Sequence, residues 1–282
     1  MKISCSTVVF RKETLDKALS AIREAGYDYI ETQAISPWCP HADVDNDDPV
    51  AYAEHIANFG FKGITGLWMP HGNLITDEQS VEYGIRTIEW ANAAGIPVII
   101  TGDGMKPKDI DDDSAFGILE ERLSRMLEYA RRLQVKVAIE PHGTFSLSSS
   151  GLRRLMSISE EPWLGINYDA ANIFRAGYIE SKEDSFGWAV KEKGEDEVSV
   201  LSSISDRVVY FHAKDLHQNM CTALGDGEVK VSECIKILNN QGYKGTYSLE
   251  TEGNESFEDS VIIASKSLKF LKKELSLNDT SR

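Results

Sequence analysis

Short β-branched runs alternate with amphipathic helical windows along the whole of this 282-residue chain, and eight such units can be counted. The runs cover residues 3–10, 27–33, 63–69, 98–101, 135–140, 164–169, 208–212 and 246–250. Eight consecutive βα units predict an α/β protein closed as a single (β/α)8 TIM barrel, because a parallel sheet must bury both faces and repeated crossover helices cover the outer one. The competing topology, an open doubly wound sheet, calls for a Gly-rich phosphate loop after the first strand, and the residues following Phe10 do not supply one.

The windows between the runs carry helix signals. Leu15, Ala18, Leu19 and Ile22 fall on one helical stripe, as do Phe116, Leu119, Leu123 and Leu127. Thr76 with Gln79 has capping-box spacing ahead of Val81, Ile85 and Ile88. Gly26-Tyr27, Gly60-Phe61, Gly95-Ile96 and Gly242-Tyr243 repeat one helix stop, a glycine in the left-handed C′ position followed by an apolar residue packing back on the helix. The expected organisation is a barrel domain over residues 1–274, a long loop insertion at about 175–197, and a polar tail over 275–282. The insertion falls on the rim where active sites form, and is read as a substrate cover or a partner surface.

Four of the runs end in a residue of metal-binding type. Val137-Ala138-Ile139-Glu140, Gly165-Ile166-Asn167-Tyr168-Asp169, Val208-Val209-Tyr210-Phe211-His212 and Tyr247-Ser248-Leu249-Glu250 close strands five to eight. Active sites of such barrels lie at the C-terminal ends of the strands, so these adjacent staves would converge Glu140, Asp169, His212 and Glu250 on one point. Alone, each is more often a loop cap or an ion-pair partner; four at equivalent positions form a metal constellation. Oxygen-rich ligation with one imidazole suits Mn²⁺ best, with Mg²⁺, Co²⁺ or Zn²⁺ as alternatives.

These motifs resemble the xylose isomerase-like barrel superfamily, which includes sugar and sugar-phosphate isomerases and epimerases, inosose and dehydroshikimate dehydratases and endonuclease IV. The resemblance rests on Ile139-Glu140-Pro141-His142-Gly143, Asn167-Tyr168-Asp169, Phe211-His212-Ala213-Lys214-Asp215, Gly225-Asp226-Gly227-Glu228-Val229 and Ser248-Leu249-Glu250, and it spans nearly the whole chain. It implies a divalent cation that polarises the carbonyl of a sugar or polyol while a base removes the α-proton and a metal-stabilised enolate forms. In the ketose epimerases the first and last metal glutamates also move protons, which assigns that role to Glu140 and Glu250. Two positions depart from those epimerases: Asn172 stands where they carry a histidine, and Ser146 where they carry a further glutamate.

Glu-Pro-His-Gly, Asp-x-x-Asn and the stretch from Glu31-Thr32-Gln33 to Trp38-Cys39-Pro40-His41 are also similar to catalytic subunits of bacterial C-glycoside deglycosidases. Those enzymes cleave 3-oxo-C-glycosides by elimination and work with a small partner subunit. In either reading His142 is a candidate general base or acid, having an ordinary pKa near neutrality. The candidate substrate-binding residues are Glu31, His71, Asn172, Lys214, Trp38 and Trp68. Lys214 either meets a substrate oxygen or phosphate or pairs with the adjacent Asp215.

Composition narrows the alternatives. A formal charge of -15 disfavours nucleic acid, and with it an endonuclease IV-like activity. No apolar stretch approaches a membrane span and no leader pattern opens the chain, so a cytoplasmic protein without a membrane partner is expected. Cys5, Cys39, Cys221 and Cys234 lack paired spacing and read as ordinary thiols. Asp43, Asp45, Asp47 and Glu54 imitate a calcium loop, but Asp48 stands where glycine is required, so a solvated loop before a helix near Pro49 is expected. No dinucleotide fingerprint is present. The expected partners are a sugar or glycoside and a second copy of the chain, or a small subunit in the deglycosidase reading. A non-catalytic sugar-binding subunit is the remaining class.

Overall fold

In a computed structural model of the protein, residues 1–70, 73–175, 178–179, 187–188 and 194–276 are described. Eight parallel strands form the barrel: β1 Lys2–Ser6, β2 Tyr29–Ile35, β3 Gly63–Trp68, β4 Val98–Gly104, β5 Lys136–Gly143, β6 Leu164–Asp169, β7 Val208–Ala213 and β8 Thr246–Leu249. Each pairs with its chain neighbours, and β1 closes the ring by pairing with both β8 (Cys5 opposite Leu249) and β2 (Cys5 opposite Ile30). This is the eightfold barrel expected from the sequence. Among the described residues no helix is long and apolar enough to cross a membrane.

Helices α1 Leu15–Glu24, α2 Pro49–Asn58, α3 Ser80–Ala93, α4 Asp112–Leu133, α5 Ser149–Met156, α6 Ala170–Arg175, α7 Glu197–Ser202, α8 Val231–Asn240 and α9 Phe257–Glu274 account for the helical residues described. Their apolar stripes face the sheet: Phe116, Leu119, Leu123 and Leu127 of α4 are all buried. Gly26, Gly60, Gly95 and Gly242 have φ of 100, 85, 73 and 74°, as the recurrent helix stop requires. The acidic loop before α2 is tied by Asp43 and Asp47 to its own backbone N–H groups, and Asp48 caps the helix that opens at Pro49.

Two local expectations fail. Thr7–Phe10 is a 3₁₀ turn and not the end of β1, because the strand's pairing with β2 stops at Ser6, whose hydroxyl accepts from Val8 N. Tertiary pairing here overrides the β preference of Val-Val-Phe, while burial of all three is kept. Thr76 and Gln79 form no capping box: α3 opens at Ser80 after Gln79, which makes no side-chain cap bond. Most of the anticipated insertion and residues 277–282 of the tail lie outside the described residues.

Inside the ring, Trp68, Val98, Ile100, Ala138 and Tyr210 form an apolar plug. Gly66 makes space for it, since a Cβ there would sit 3.1 Å from the Tyr210 ring. The Tyr210 hydroxyl is satisfied by Thr65 Oγ1 at 2.7 Å and Ser4 Oγ at 3.4 Å. Polar side chains at the C-terminal strand ends therefore stand on a packed floor.

Candidate metal centre

Glu140 projects from β5, Asp169 ends β6, His212 lies in β7, and Glu250 follows β8 with its N–H still bonded to Ala213 O at 3.1 Å. Ligand-type atoms of these four buried residues all lie within 4.8 Å of one another. His212 is fully buried, and its Nδ1 faces Glu140 Oε1 at 3.0 Å and Glu250 Oε2 at 3.5 Å. Its Nε2 faces Glu31 Oε2 at 2.9 Å. Glu31 is itself steadied by Gln33 Nε2 at 3.0 Å, which also donates to Ser6 Oγ at 2.9 Å.

The electrostatics of the array are those of closely packed, opposed charges. Burial, then the charge of Glu250, pushes the Glu140 carboxyl well above its ordinary range. Glu250 is also pushed up by burial, but Lys214 and His212 outweigh this and hold it ionised. Burial acts to strip the proton from His212; the facing Glu31, Glu250 and Glu140 overcome it. Lys214 reaches Asp169 Oδ2 and Glu250 Oε2 at 2.7 Å and Glu252 Oε1 at 3.4 Å. Asp169 Oδ2 is buried and has the Lys214 ammonium beside it without a well-directed hydrogen bond. Three converging carboxylates, two of them mutually repelling glutamates, and an imidazole suit a divalent cation that prefers oxygen donors.

The residues around the cluster brace it. Asn172 donates Nδ2 to Glu140 Oε1 at 3.3 Å and its backbone N–H to Asp169 Oδ1 at 2.9 Å. Its own Oδ1 accepts from Arg175 at 2.9 Å. Asp215 does not hold Lys214; its carboxylate accepts the N–H groups of Leu216, Gly225, Gly227 and Val229 at 2.9 to 3.1 Å. The Lys-Asp and Gly-x-Gly motifs are thus one structure, and a Cβ on Gly227 would lie 2.2 Å from Asp215 Oδ1.

His142 stands edge-on to Trp68 with ring centroids 5.7 Å apart, and burial lowers its pKa to about 4, leaving it neutral near pH 7. Its N–H donates to Ser146 Oγ at 2.9 Å, and Ser146 in turn donates to buried Asp103. Ser146, at the epimerase glutamate position, is therefore committed to shaping the loop. Trp68 is 6% exposed and Trp38 is 39% exposed, the latter stacked under Arg11 at 4.9 Å. His71 lies outside the described residues. Nothing in the spacing of Glu252, Arg175, Gln33 and Asp103 marks the partners they meet on other segments of the chain.

A family model described as "xylose isomerase-like TIM barrel" matches residues 19–274. The chain belongs to this family. An inosose dehydratase of Clostridium perfringens is 20% identical over 232 residues, covering 71% of this chain and 72% of that protein. A D-tagatose 3-epimerase-like protein superimposes with a TM-score of 0.75 at 19% identity, covering 100% of both chains. A xylose isomerase-like TIM barrel protein from Mycobacterium smegmatis, in complex with magnesium, gives 0.75 at 16% identity over 98% of each chain.

Glu31 lies against His212, with its carboxylate on Nε2 and Nδ1 left facing the cluster, the arrangement of a residue that would orient this imidazole toward a cation. Glu31→Ala is expected to weaken Mn²⁺ binding by roughly 10–100-fold while the barrel stays folded. Titration of the stripped protein with Mn²⁺ checks this, and an unchanged dissociation constant in a folded variant rules the role out.

Proposed function

We propose that the protein is a divalent-metal-dependent enzyme that removes the α-proton of a carbonyl-bearing sugar or sugar-like polyol, giving an isomer, an epimer or an eliminated product. The observation that carries this reading is the convergence of Glu140, Asp169, His212 and Glu250 beside His142 at the C-terminal rim of a family barrel. A divalent cation held by those four residues, Mn²⁺ in first preference, supplies Lewis-acid polarisation of the carbonyl. Glu140 and Glu250 stand on staves five and eight, so they approach a bound carbon from different sides and offer two proton positions. His142, neutral near pH 7, offers a third. The inosose dehydratase and epimerase-like relatives support chemistry of this class.

Elimination is favoured over epimerisation of free ketoses by one observation. Asn172 and Ser146 stand where the epimerases carry a histidine and a glutamate, and here both are bracing groups. His142 is the additional proton carrier, so a deglycosidase-type lyase acting on 3-oxo-glycosides, with a small partner subunit, is the second reading. The protein in either case is proposed to act in the cytoplasm and as an oligomer.

Proton NMR in D₂O, with protein loaded with Mn²⁺ and freed of bulk ion, separates the outcomes on free ketoses and 3-oxo-glycosides. Deuterium entering a ketose next to its carbonyl indicates isomerase or epimerase chemistry; aglycone release without ketose exchange indicates the lyase. Neither event on any member of the panel counts against enolisation of sugars.

A further inference from the structure

The loop after β8 places a carboxylate on the two cations nearest the candidate centre. Glu252 Oε1 accepts from the guanidinium of Arg175 and lies 3.4 Å from Lys214 Nζ. Both cations are almost fully buried, at 4% and 3% exposure, whereas the Glu252 side chain is 27% exposed. Lys214 is further held by Asp169 and Glu250, and Arg175 by Asn172. The next cation outward, Arg11, is committed through Nε to Glu252 O at 2.9 Å and through its terminal nitrogen to Asn254 Oδ1 at 2.8 Å. The loop's path is fixed: Gly253 has φ of 62°, and a Cβ there would lie 2.3 Å from Val8 O.

The charge balance has a chemical consequence. Glu31, Glu140, Asp169, Glu250 and Glu252 set five carboxylates against Lys214 and Arg175. A divalent ion raises the positive charge to four, which is still less than the carboxylate total when His212 is neutral. A phosphate or carboxylate needs charge-assisted donors that are not already paired, and among the described residues these two cations are spent on carboxylates.

We infer that Glu252 is a specificity-determining residue that withholds Lys214 and Arg175 from anions, so that the enzyme selects uncharged sugars, polyols or glycosides and rejects their phosphates and acids. The substrate half of this inference rests on the sugar-enolising reading above; the anion-rejecting half does not. Lys214 is therefore not a phosphate-binding group in the parent protein.

The test uses inorganic phosphate on the Mn²⁺-loaded protein, read as paramagnetic relaxation of the ³¹P signal at low ionic strength. The parent protein is expected to relax phosphate only weakly. Glu252→Gln keeps the shape but removes the competing charge, and is expected to bind phosphate at least roughly tenfold more tightly. Glu252→Ala provides a second variant, and bound Mn²⁺ measures whether each variant keeps its centre. Adding Lys214→Met to Glu252→Gln should abolish the gain. Strong phosphate relaxation by the parent, or variants that retain Mn²⁺ and gain nothing, overturns the inference. Deuterium exchange on neutral ketoses or 3-oxo-glycosides reports separately on the enolising reading, so either half can fail without the other.

Discussion

His212→Ala is expected to purify without stoichiometric divalent metal and to turn over at least roughly a thousand times more slowly than the parent. The imidazole is the only nitrogen donor in the cluster, and it also touches Glu31, Glu140 and Glu250. Its removal costs the cation a ligand and leaves these buried carboxylates without the group that partly neutralises them. Stability gives a readout independent of substrate. Saturating Mn²⁺ at about a thousand times its dissociation constant adds about 4 kcal/mol to the parent by mass action, and little to a variant that no longer binds it. Thermal denaturation with and without Mn²⁺, together with metal analysis, checks both. A His212→Ala protein that keeps its metal and its turnover is incompatible with the assigned centre, and an ion-indifferent parent melting curve is equally so.

The four ligand-type residues were readable because strand period and barrel topology specify them together. A run such as Val137-Ala138-Ile139 ending in Glu140 can be recognised in isolation, and the same pattern recurs on the next staves, where Asp169 stands opposite His212. The repeated glycine stops were readable for the same local reason. What the periodicity could not convey is which residues meet across the closed ring. Glu31 lies 181 positions from His212, and only the pairing of β1 with both β2 and β8 brings the two sides of the barrel together. Glu31 was accordingly expected at a substrate, and it lies on the histidine. Asp215 shows the converse. Its adjacency to Lys214 suggests a pair, yet three backbone N–H groups from the glycine loop, with that of Leu216, offer a carboxylate a better-directed site than one flexible ammonium. Glu252 sits in irregular backbone and carries no periodic signal, and Asp103, though in β4, bonds to the loop residues Phe145 and Ser146, so the partners of both are identifiable only with the loops in place.

His142 provides the second large effect. Trp68 meets its ring edge-on, while its backbone is held by the Ser146–Asp103 bracket and by the close approach of Gly102, where a Cβ would lie 2.3 Å from His142 O. This places an imidazole two residues beyond Glu140 without making it a ligand, and burial favours its neutral form. His142→Ala is therefore expected to retain Mn²⁺ with an affinity close to the parent's while losing roughly 10²- to 10⁴-fold in turnover, the usual range for a positioned proton carrier. The pattern of loss identifies the proton moved. If His142 takes the α-proton, deuterium exchange and product formation fall together. If it protonates a departing group, exchange continues while elimination stops, which is the signature expected of the lyase reading. His142→Ala with parental turnover and intact metal excludes both roles and leaves proton transfer to Glu140 and Glu250.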